Sequence, residues 1–308
     1  MSDFQHIPVL FFETVDALDI KPDGIYVDCT AGGGGHSAAV AEKLTTGRLI
    51  SIDQDPEAIA TLQKRFADNP KVTVVHDNFV NIKSVLSNLG IVGVDGVMAD
   101  LGVSSHQLDT DARGFSFHKD APLDMRMSMS GVSAKDLVNN ASESELRRII
   151  YTYGEEKFAP SIAKNIVKSR QIKPIETTFD LVEIIKNSMP MKAKRDGHPA
   201  RKTFQALRIE VNGELDKLSK ALDDMFDVLN PSGRLAIITF HSLEDRIVKK
   251  RFNSFCEGCT CPPEFPVCVC GKTPRGKLPF KSKAPSTTEI DDNFRAHSAR
   301  LRAVEKIG

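Results

Sequence analysis

The chain lacks an excess of charge of either sign, since its 308 residues include 41 Lys and Arg and 41 Asp and Glu. It therefore carries no overall basic charge of the kind that marks many nucleic-acid-binding proteins. No apolar run approaches the length that spans a membrane, and MSDFQHIPVL at the start contains no basic segment followed by a long apolar stretch. We therefore expect a soluble, cytoplasmic protein without a secretory signal.

Cysteine is scarce outside one short segment. Five of the six cysteines lie close together in the last third of the chain: Cys256, Cys259, Cys261, Cys268 and Cys270. Such crowding excludes a disulfide framework distributed over the chain. The C-x-x-C and C-x-C spacings suit a tetrahedral zinc site. Five thiols do not define which four would bind, and a loop of reduced thiols without metal is an equal alternative.

Positive charge is concentrated at the end of the chain. From Gly271 to Gly308, nine Lys or Arg stand against four Asp or Glu, which leaves a net charge of plus five. Such a tail could follow a phosphate backbone, or it could be a solvated terminus, and charge alone does not decide between them.

A run of four glycines between two predicted strands is the most informative feature that is present. A strand predicted over Gly24 to Cys29 leads into AGGGGHS, and a helix predicted over His36 to Leu44 follows. Glycine permits positive φ and close approach of a ligand, while the start of a helix offers unpaired N–H groups. The next predicted strand, Arg48 to Ile52, ends beside Asp53, where a nucleotide-binding βαβ unit holds a ribose. The pattern predicts a cofactor that contains adenosine.

The spacing of the glycines favours one class of cofactor. A dinucleotide fingerprint needs G-x-G-x-x-G, but six-residue windows that begin at Gly32 or Gly33 end at Ser37 or Ala38. The loop instead resembles the first motif of Rossmann-like S-adenosylmethionine (SAM) methyltransferases, in which an acidic residue at a strand end, here Asp28, precedes a glycine-rich turn. A nicotinamide enzyme and a merely tight strand–helix turn are the alternatives.

The first hundred residues alternate strand and helix, as a doubly wound α/β sheet does. Further strands are predicted over Lys71 to His76 and Val94 to Asp100, and helices are predicted after Asp55 and from Ile82. In an open α/β sheet, ligands bind beyond the carboxyl ends of the strands. Four strand ends offer carboxylates there, at Asp28, Asp53, Asp77 and Asp100.

The alternation is interrupted in the middle of the chain. Between about Ser104 and Val211 the apolar spacing predicts helices and no strand, and the α/β pattern resumes with a turn at Pro231 to Gly233 and a strand over Arg234 to Phe240. We predict an α/β fold, a Rossmann-like methyltransferase domain of residues 1–104 and 212–308. An all-helical substrate-recognition domain, residues 105–211, is inserted into it.

Several side chains at the predicted strand ends are suited to chemistry. Asp53 can accept hydrogen bonds from both ribose hydroxyls, and Phe79 can stack on an adenine, although an ordinary core position is an equal alternative for Phe79. Asp100 could bind the amino group of the cofactor, accept a hydrogen bond from an amine substrate or only cap its loop. His241 follows the last predicted strand, where a position in the cleft is expected.

A second basic feature lies on the helix predicted after Pro199. Arg201, Gln205 and Arg208 share one face of that helix, Phe204 and Leu207 face inward, and further cations lie nearby at Lys192, Lys194, Arg195 and Lys202. Such a strip suits contacts with phosphates, and a solvated helix face would have the same pattern.

Longer strings resemble those of the bacterial 16S rRNA (cytosine-N4)-methyltransferases. From His6 to the C-terminus they are HIPVL, TAGGGGHS, DLGVSSHQLD, RGFSF with PLDMRM, HPARKTFQALRIEVNGEL, FHSLEDRIVK and RAHSARLR. The resemblance implies a SAM-dependent enzyme that methylates the N4 amino group of a cytidine in the decoding region of 16S rRNA, within the small ribosomal subunit. It also implies an inserted helical domain and a homodimer.

The resemblance places the SAM contacts on Gly34, Gly35, His36, Asp53, Phe79, Asp100 and Gln107. Because a cytosine N4 amine is a weak nucleophile, it needs a proton acceptor, and we expect Asp100 in that role with His241 as a second catalytic residue. Many amino methyltransferases have Asn/Asp-Pro-Pro-aromatic where this chain has Asp100-Leu-Gly-Val, so the amine must be held differently. Arg201, Lys202 and Arg208 are the expected RNA contacts.

Two other functions are consistent with the same residues. One is a methyltransferase that acts on DNA or free nucleotides, and the other is a non-catalytic RNA-binding protein with a vestigial fold. The complete glycine loop, together with Asp53 and Asp100, argues against a loss of cofactor binding.

Overall fold

The computed structural model describes residues 8–190, 198–262, 264 and 266–308. The chain divides into two compact units, the first formed by Met1–Gly102 with Leu215–Gly308 and the second by Val103–Glu214. The predicted limits of the inserted segment, 105 and 211, lie within a few residues of the limits of the second unit. A role for that unit in substrate recognition stays a prediction.

Helices and strands alternate through the first unit. Its strands are β1 (Ile25–Asp28), β2 (Arg48–Asp53), β3 (Val72–His76), β4 (Val94–Asp100), β5 (Leu229–Thr239), β6 (Gly276–Lys277) and β7 (Arg300–Lys306). The helices of the whole chain are α1 (Phe11–Ala17), α2 (Gly35–Lys43), α3 (Pro56–Arg65), α4 (Ile82–Asn88), α5 (Ser105–Asp109), α6 (Ala134–Asn140), α7 (Glu143–Gly154), α8 (Ala159–Arg170), α9 (Thr178–Asn187), α10 (Arg201–Asn212), α11 (Glu214–Asp227), α12 (Ser242–Cys256) and α13 (Thr287–Asp292). Of these helices, α5 to α10 belong to the second unit.

The strands form one sheet in the order β3-β2-β1-β4-β5-β7-β6. Strands β1 to β5 are parallel, and β7 runs antiparallel to both β5 and β6. The order 3-2-1-4-5 is that of doubly wound nucleotide-binding sheets, and it reverses between β1 and β4. The predicted Rossmann-like α/β fold is confirmed.

Both faces of the sheet are buried under helices. Tyr26 and Val27, neighbours on β1, belong to different apolar clusters, as alternate side chains of a strand must. One cluster includes side chains of α4, α11 and α12, and the other includes side chains of α2. The parallel strands are therefore apolar on both sides, as β4 shows with Val97 and Met98 both buried.

The predicted strands and helices of the first hundred residues are present close to their expected bounds. Helix α3 begins as its sequence predicts, because the Asp55 side chain accepts a hydrogen bond from the Glu57 backbone at 3.0 Å and Pro56 is the first helical residue. We expected Pro231 to Gly233 to form a turn before the strand, but the structure places these residues within the strand. Strand β5 already begins at Leu229, and a shift of its register against β4 accommodates these residues, with Ser232 at φ 64°.

The basic end of the chain forms part of the sheet. In β7, Leu301 and Val304 are fully buried, and Arg302 binds both carboxylate oxygens of Asp245 at 2.7 and 3.0 Å. The ammonium of Lys306 donates to the carbonyl of Leu229 at 2.6 Å. Two of the nine cations, Arg302 and Lys306, are therefore paired within the fold, so the alternative of a solvated terminus does not describe β7.

The second unit has a helical core, and its described residues contain no strand. The helices predicted in this segment have buried apolar faces, formed by Leu146, Ile149, Ile150, Ile162, Ala163, Ile166, Leu181, Val182 and Ile185. Helix α7 begins where Ser142 accepts a hydrogen bond from the Glu145 backbone at 3.2 Å. In neither unit is a described helix long and apolar enough to cross a membrane.

Replacing Leu301 with Ala tests the place of the tail in the core. Because Leu301 is 0% exposed, we expect Leu301→Ala to lower the free energy of unfolding by about 2–5 kcal/mol in denaturant titrations. The matched control is Leu278→Ala, in the same tail but 39% exposed, which should change it by less than about 1 kcal/mol. Equal effects of the two substitutions would contradict the sheet position of β7.

Candidate active site

The loop between β1 and α2 is fixed by a buried carboxylate. Asp28 Oδ2 accepts a hydrogen bond from the Ser37 hydroxyl at 2.7 Å, and Oδ1 accepts one from the Thr30 backbone at 3.2 Å. The Ser37 and Ser51 hydroxyls are 2.8 Å apart. Burial raises the pKa of Asp28 to about 6, and the hydrogen bonds oppose the shift. The Asp28 carboxylate therefore holds the loop from inside and is not exposed to a ligand. The contact with Ser37 was not predicted from the sequence.

Two glycines of this loop are required by close packing. Gly34 precedes α2 with φ 78°, and a Cβ built on it would lie 3.0 Å from Leu62 and 3.1 Å from Phe66 of the α3 region. A Cβ on Gly35 would lie 2.4 Å from Pro8. A Cβ on Gly33 would meet none of the described atoms within 4 Å, so the loop is open on that side. Contacts of Gly34 and Gly35 with a cofactor stay a prediction.

Asp53 closes the same loop from the end of β2. Its Oδ2 accepts a hydrogen bond from the Gly32 backbone at 2.7 Å, and its Oδ1 accepts one from the Asp55 backbone at 2.8 Å. Burial raises the pKa of Asp53, while these two bonds act against the shift. A carboxylate oxygen can accept more than one hydrogen bond, so both oxygens keep capacity for hydroxyl donors.

Phe79 begins a 3₁₀ turn, Phe79–Asn81, just beyond β3. Its ring is half-buried and packs against the apolar core of the first unit, so the expected core contact is present. Asn78 orients the turn, since its side chain accepts a hydrogen bond from the Val80 backbone at 3.1 Å and donates one to Gln54 at 2.6 Å. Stacking of Phe79 on an adenine stays a prediction.

His36 and Asp100 meet at the centre of the strand ends. His36 is buried near the start of α2, its ring stacked on Phe11 with centroids 5.8 Å apart, and burial lowers the pKa of His36 to about 4. The ring is therefore neutral at pH 7. Its Nδ1 lies 3.8 Å from Asp100 Oδ2. Asp100, at the end of β4, donates its backbone N–H to Thr30 Oγ1 at 2.6 Å.

The carboxyl group of Asp100 lies in an environment that disfavours its charge. Burial, followed by the nearby carboxylates of Asp28 and Glu244, raises the pKa of Asp100 well above its usual range. A cation placed beside it would lower that pKa again, because an opposite charge favours the ionised form.

Three buried polar atoms at the strand ends have no hydrogen-bond partner within the described structure: His36 Nε2, Asp100 Oδ1 and His241 Nε2. Because buried polar atoms in proteins are nearly always paired, such atoms indicate where polar groups of a ligand bind. These residues fit SAM. Asp100 can accept a hydrogen bond from its amino group, and Asp53 can accept hydrogen bonds from its ribose hydroxyls. The neutral His36 ring does not repel a sulfonium.

His241 has a structural role at the start of α12. Its Nδ1 accepts a hydrogen bond from the Glu244 backbone at 3.4 Å, and Glu244 Oε2 accepts one from the Phe240 backbone at 2.8 Å. His241 Nε2 lies 3.2 Å from Glu244 Oε1. Sequence reasoning missed this cap because histidine is an unusual N-cap, although Glu244 three residues on is the usual partner of a capping box. A catalytic role for His241 stays a prediction.

Gln107 lies in the second unit and closes a capping box of its own. Its side-chain oxygen accepts a hydrogen bond from the Ser104 backbone at 3.1 Å, and its backbone donates to Ser104 Oγ at 3.1 Å. The side chain is buried. These bonds account for its position in α5, and a contact with the cofactor stays a prediction.

The basic strip on α10 is narrower than the sequence suggests. Arg201 and Lys202 are exposed, and Phe204 faces the core as predicted. Arg208 is 16% exposed in its side chain and binds Glu214 through two hydrogen bonds of 2.9 and 2.8 Å. Its guanidinium is engaged in that ion pair, whereas the Lys202 ammonium donates only to the Glu155 carbonyl, at 3.1 Å, among the bonds described, so Arg201 and Lys202 are the better candidates for phosphate contacts. The predicted cations at Lys192, Lys194 and Arg195 lie outside the described residues.

Comparison with known proteins identifies the family. The MraW methylase family matches residues 3–307. The protein named ribosomal RNA small subunit methyltransferase H from Clostridium botulinum (strain 657) is 55% identical to this chain, over 99% of this chain and 100% of the relative. The protein of the same name from Lachnospira eligens is also 55% identical, over 100% of this chain and 99% of the relative. The protein of that name from Brevibacillus brevis is 52% identical over 99% and 98%. The glycine loop and the carboxylates around it therefore belong to a SAM-dependent methyltransferase, and this chain is a member of the MraW methylase family.

Proposed function

We propose that this enzyme methylates the N4 amino group of a cytidine in the decoding region of 16S rRNA. The names of its relatives support ribosomal RNA of the small subunit as the substrate. The sequence motifs resemble those of cytosine-N4 enzymes, which supports the base and the atom. A homodimer follows from the same resemblance, a cytoplasmic location was expected because the sequence shows no secretory signal, and both stay predictions.

The observation that carries the proposed chemistry is the unpartnered Oδ1 of Asp100. SAM, when bound, supplies a methyl group on a positively charged sulfur. The N4 nitrogen forms its new bond to the methyl carbon as the carbon–sulfur bond breaks, and it must lose a proton. Asp100 can accept that proton at Oδ1 once the cationic methyl donor beside it favours the ionised carboxylate.

The other residues of the site contribute binding and exclusion of water. Asp53 would accept hydrogen bonds from the ribose, and Phe79 would cover the adenine. His36 stays neutral, since its pKa is about 4. It therefore adds no positive charge that would oppose the attraction between the carboxylates and the cationic methyl donor. A cytidine within RNA must leave its stack for its amino group to reach the methyl carbon, so an extruded base is expected.

The first test of the proposal is the product. Purified enzyme incubated with methyl-labelled SAM and unmodified small ribosomal subunits should yield N4-methylcytidine after digestion of the RNA. Asp100→Asn should lower kcat by about 10²–10⁴-fold, because the amide cannot accept the proton. Label on DNA or free nucleotides but not on subunits would overturn the choice of substrate.

Two further measurements separate the roles of Asp100 and His241. If Asp100 mainly binds the amino group of SAM, Asp100→Asn will weaken SAM binding, measured by calorimetry, and will not lower kcat. His241→Asn provides the comparison, because Asn is a good N-cap and keeps α12 intact. Loss of turnover in the folded His241→Asn variant would support a catalytic role for the imidazole, and unchanged turnover would refute it.

Asp53→Asn is expected to weaken SAM binding by about 10- to 100-fold, since a hydrogen bond to a charged acceptor contributes about 1.5–3 kcal/mol. Calorimetry gives the Kd, and circular dichroism checks that the variant folds. Asp23→Asn, at an exposed carboxylate before β1, is the matched control and should leave Kd unchanged. An unaltered Kd in Asp53→Asn would remove Asp53 from the ribose site.

The double variant Arg201→Glu/Lys202→Glu should weaken binding to small-subunit RNA and leave SAM binding intact. If each cation contacts one phosphate, the slope of log K against log salt will fall by about 2. Lys164→Glu/Lys168→Glu, which reverses two exposed charges on α8, is the control. Arg208 is left unchanged because its replacement would break the pair with Glu214. Identical salt slopes for the two double variants would contradict the proposed contact.

A further inference from the structure

The segment between α12 and β6 has no apolar core of its own. It runs from Glu257 to Arg275, and the residues described there contain no helix or strand and no buried side chain. Val267 and Val269 are 69% and 74% exposed. A loop of this length needs some other constraint to hold one conformation, and small elements without a core commonly obtain it from a metal ion.

Four sulfur atoms converge within this segment. The Sγ of Cys268 lies 3.3 Å from that of Cys259, 4.0 Å from that of Cys261 and 3.6 Å from that of Cys270. Cys270 and Cys259 are 3.7 Å apart, and all four sulfurs lie within 4.8 Å of one another. All four cysteines are free thiols, at separations far beyond the S–S bond of about 2.05 Å.

These separations match the edges of a metal tetrahedron. A zinc–sulfur bond is about 2.3 Å long, so two sulfurs of a tetrahedral site are about 3.8 Å apart. Four of the six separations, 3.3 to 4.0 Å, lie around that value, and the other two are at most 4.8 Å. A donor set of sulfur alone selects a soft divalent ion, and Zn²⁺ is the usual occupant of a four-thiolate site.

The backbone around the sulfurs stabilises thiolate charge. The Cys261 backbone N–H donates to Cys259 Sγ at 3.4 Å, and the Val269 backbone N–H donates to Cys261 Sγ at 3.4 Å. Such donors orient metal-binding sulfurs and reduce their negative charge, as hydrogen bonds to ligands do in metal sites generally.

The geometry also excludes the fifth cysteine of the segment. Cys256 is the last residue of α12, and its side chain packs against the apolar core of the first unit. Cys29, at the end of β1, is buried in the same core. The choice of four ligands among five thiols, which the spacing in the sequence left open, is therefore made by the fold.

We propose that Cys259, Cys261, Cys268 and Cys270 bind one Zn²⁺ as a structural four-thiolate site that fixes the segment between α12 and β6. Binding releases thiol protons to solvent and changes no oxidation state. The site does not depend on the proposed methyl transfer, and nothing in the chemistry assigned to Asp100 passes through it.

The test is the metal content of the full-length protein purified under reducing conditions without added metal. We expect one zinc per chain by mass spectrometry of the elements. Cys268→Ser should lose the zinc, whereas Cys256→Ser, the matched control from the same segment, should keep it. In the native wild-type chain, thiol reagents should modify the four ligand cysteines only after a chelator removes the metal.

A second measurement covers the case in which Cys268→Ser folds poorly. Replacement of zinc by Co²⁺ in the wild-type chain should give the visible absorption of a tetrahedral thiolate site. Proteolysis of the loop should become faster after chelation while SAM binding persists. Zinc retained in Cys268→Ser, or a wild-type chain that stays metal-free after incubation with Zn²⁺ and reductant, would overturn the proposal, and stoichiometric iron would overturn the choice of metal.

Discussion

The buried carboxylate of Asp28 is the interaction on which the site at the strand ends depends. Ser37 binds it from the first turn of α2, and Thr30, whose backbone also binds it, holds the backbone of Asp100 on β4. One carboxylate thus fixes the loop, the helix that carries His36 and the strand that carries Asp100. A rearrangement of the loop would leave a buried charge unpaired, which is strongly unfavourable.

This arrangement costs stability in a defined range of pH. In the folded chain the pKa of Asp28 is raised to about 6 from 3.8. Its ionisation is therefore less favourable in the folded state than in the unfolded one, so its contribution to stability decreases as the pH rises through that range. The raised pKa values of Asp53 and Asp100 act in the same direction. A bound cation relieves this cost, which couples cofactor binding to the stability of the first unit.

Local sequence patterns predict those parts of the fold that depend on residues close together in the sequence. Strands β1 to β4 and their helices follow from apolar alternation, glycine and caps such as Asp55, and the buried faces of α7, α8 and α9 follow from helical spacing. Strand β7 was missed because its charged residues, such as Arg302 and Lys306, hide the alternation, and their partners lie far away in the sequence. Pairing with such distant residues leaves no local pattern.

The candidate site, too, could be predicted only in part. The glycine loop and the acids at the strand ends could be identified from the sequence, because their positions are set by the strands that precede them. The engagement of Arg208 could not, since Glu214 lies six residues away and beyond the helix end, where Gly213 takes φ 59°. The capping role of His241 was not evident because histidine is an unusual N-cap, whereas Ser104 and Gln107 have the S-x-x-Q spacing of a capping box, which the sequence does show.

The position of β7 between β5 and β6 has a consequence for synthesis of the chain. Strand β5 gains its second neighbour only after Arg300–Lys306, which follows β5 much later in the chain, has left the ribosome. Until then a long apolar edge strand is exposed, and such edges pair readily with other chains. A chain that stopped before Arg300 would thus contain every residue of the proposed cofactor site and still leave β5 unpaired on the side of β7.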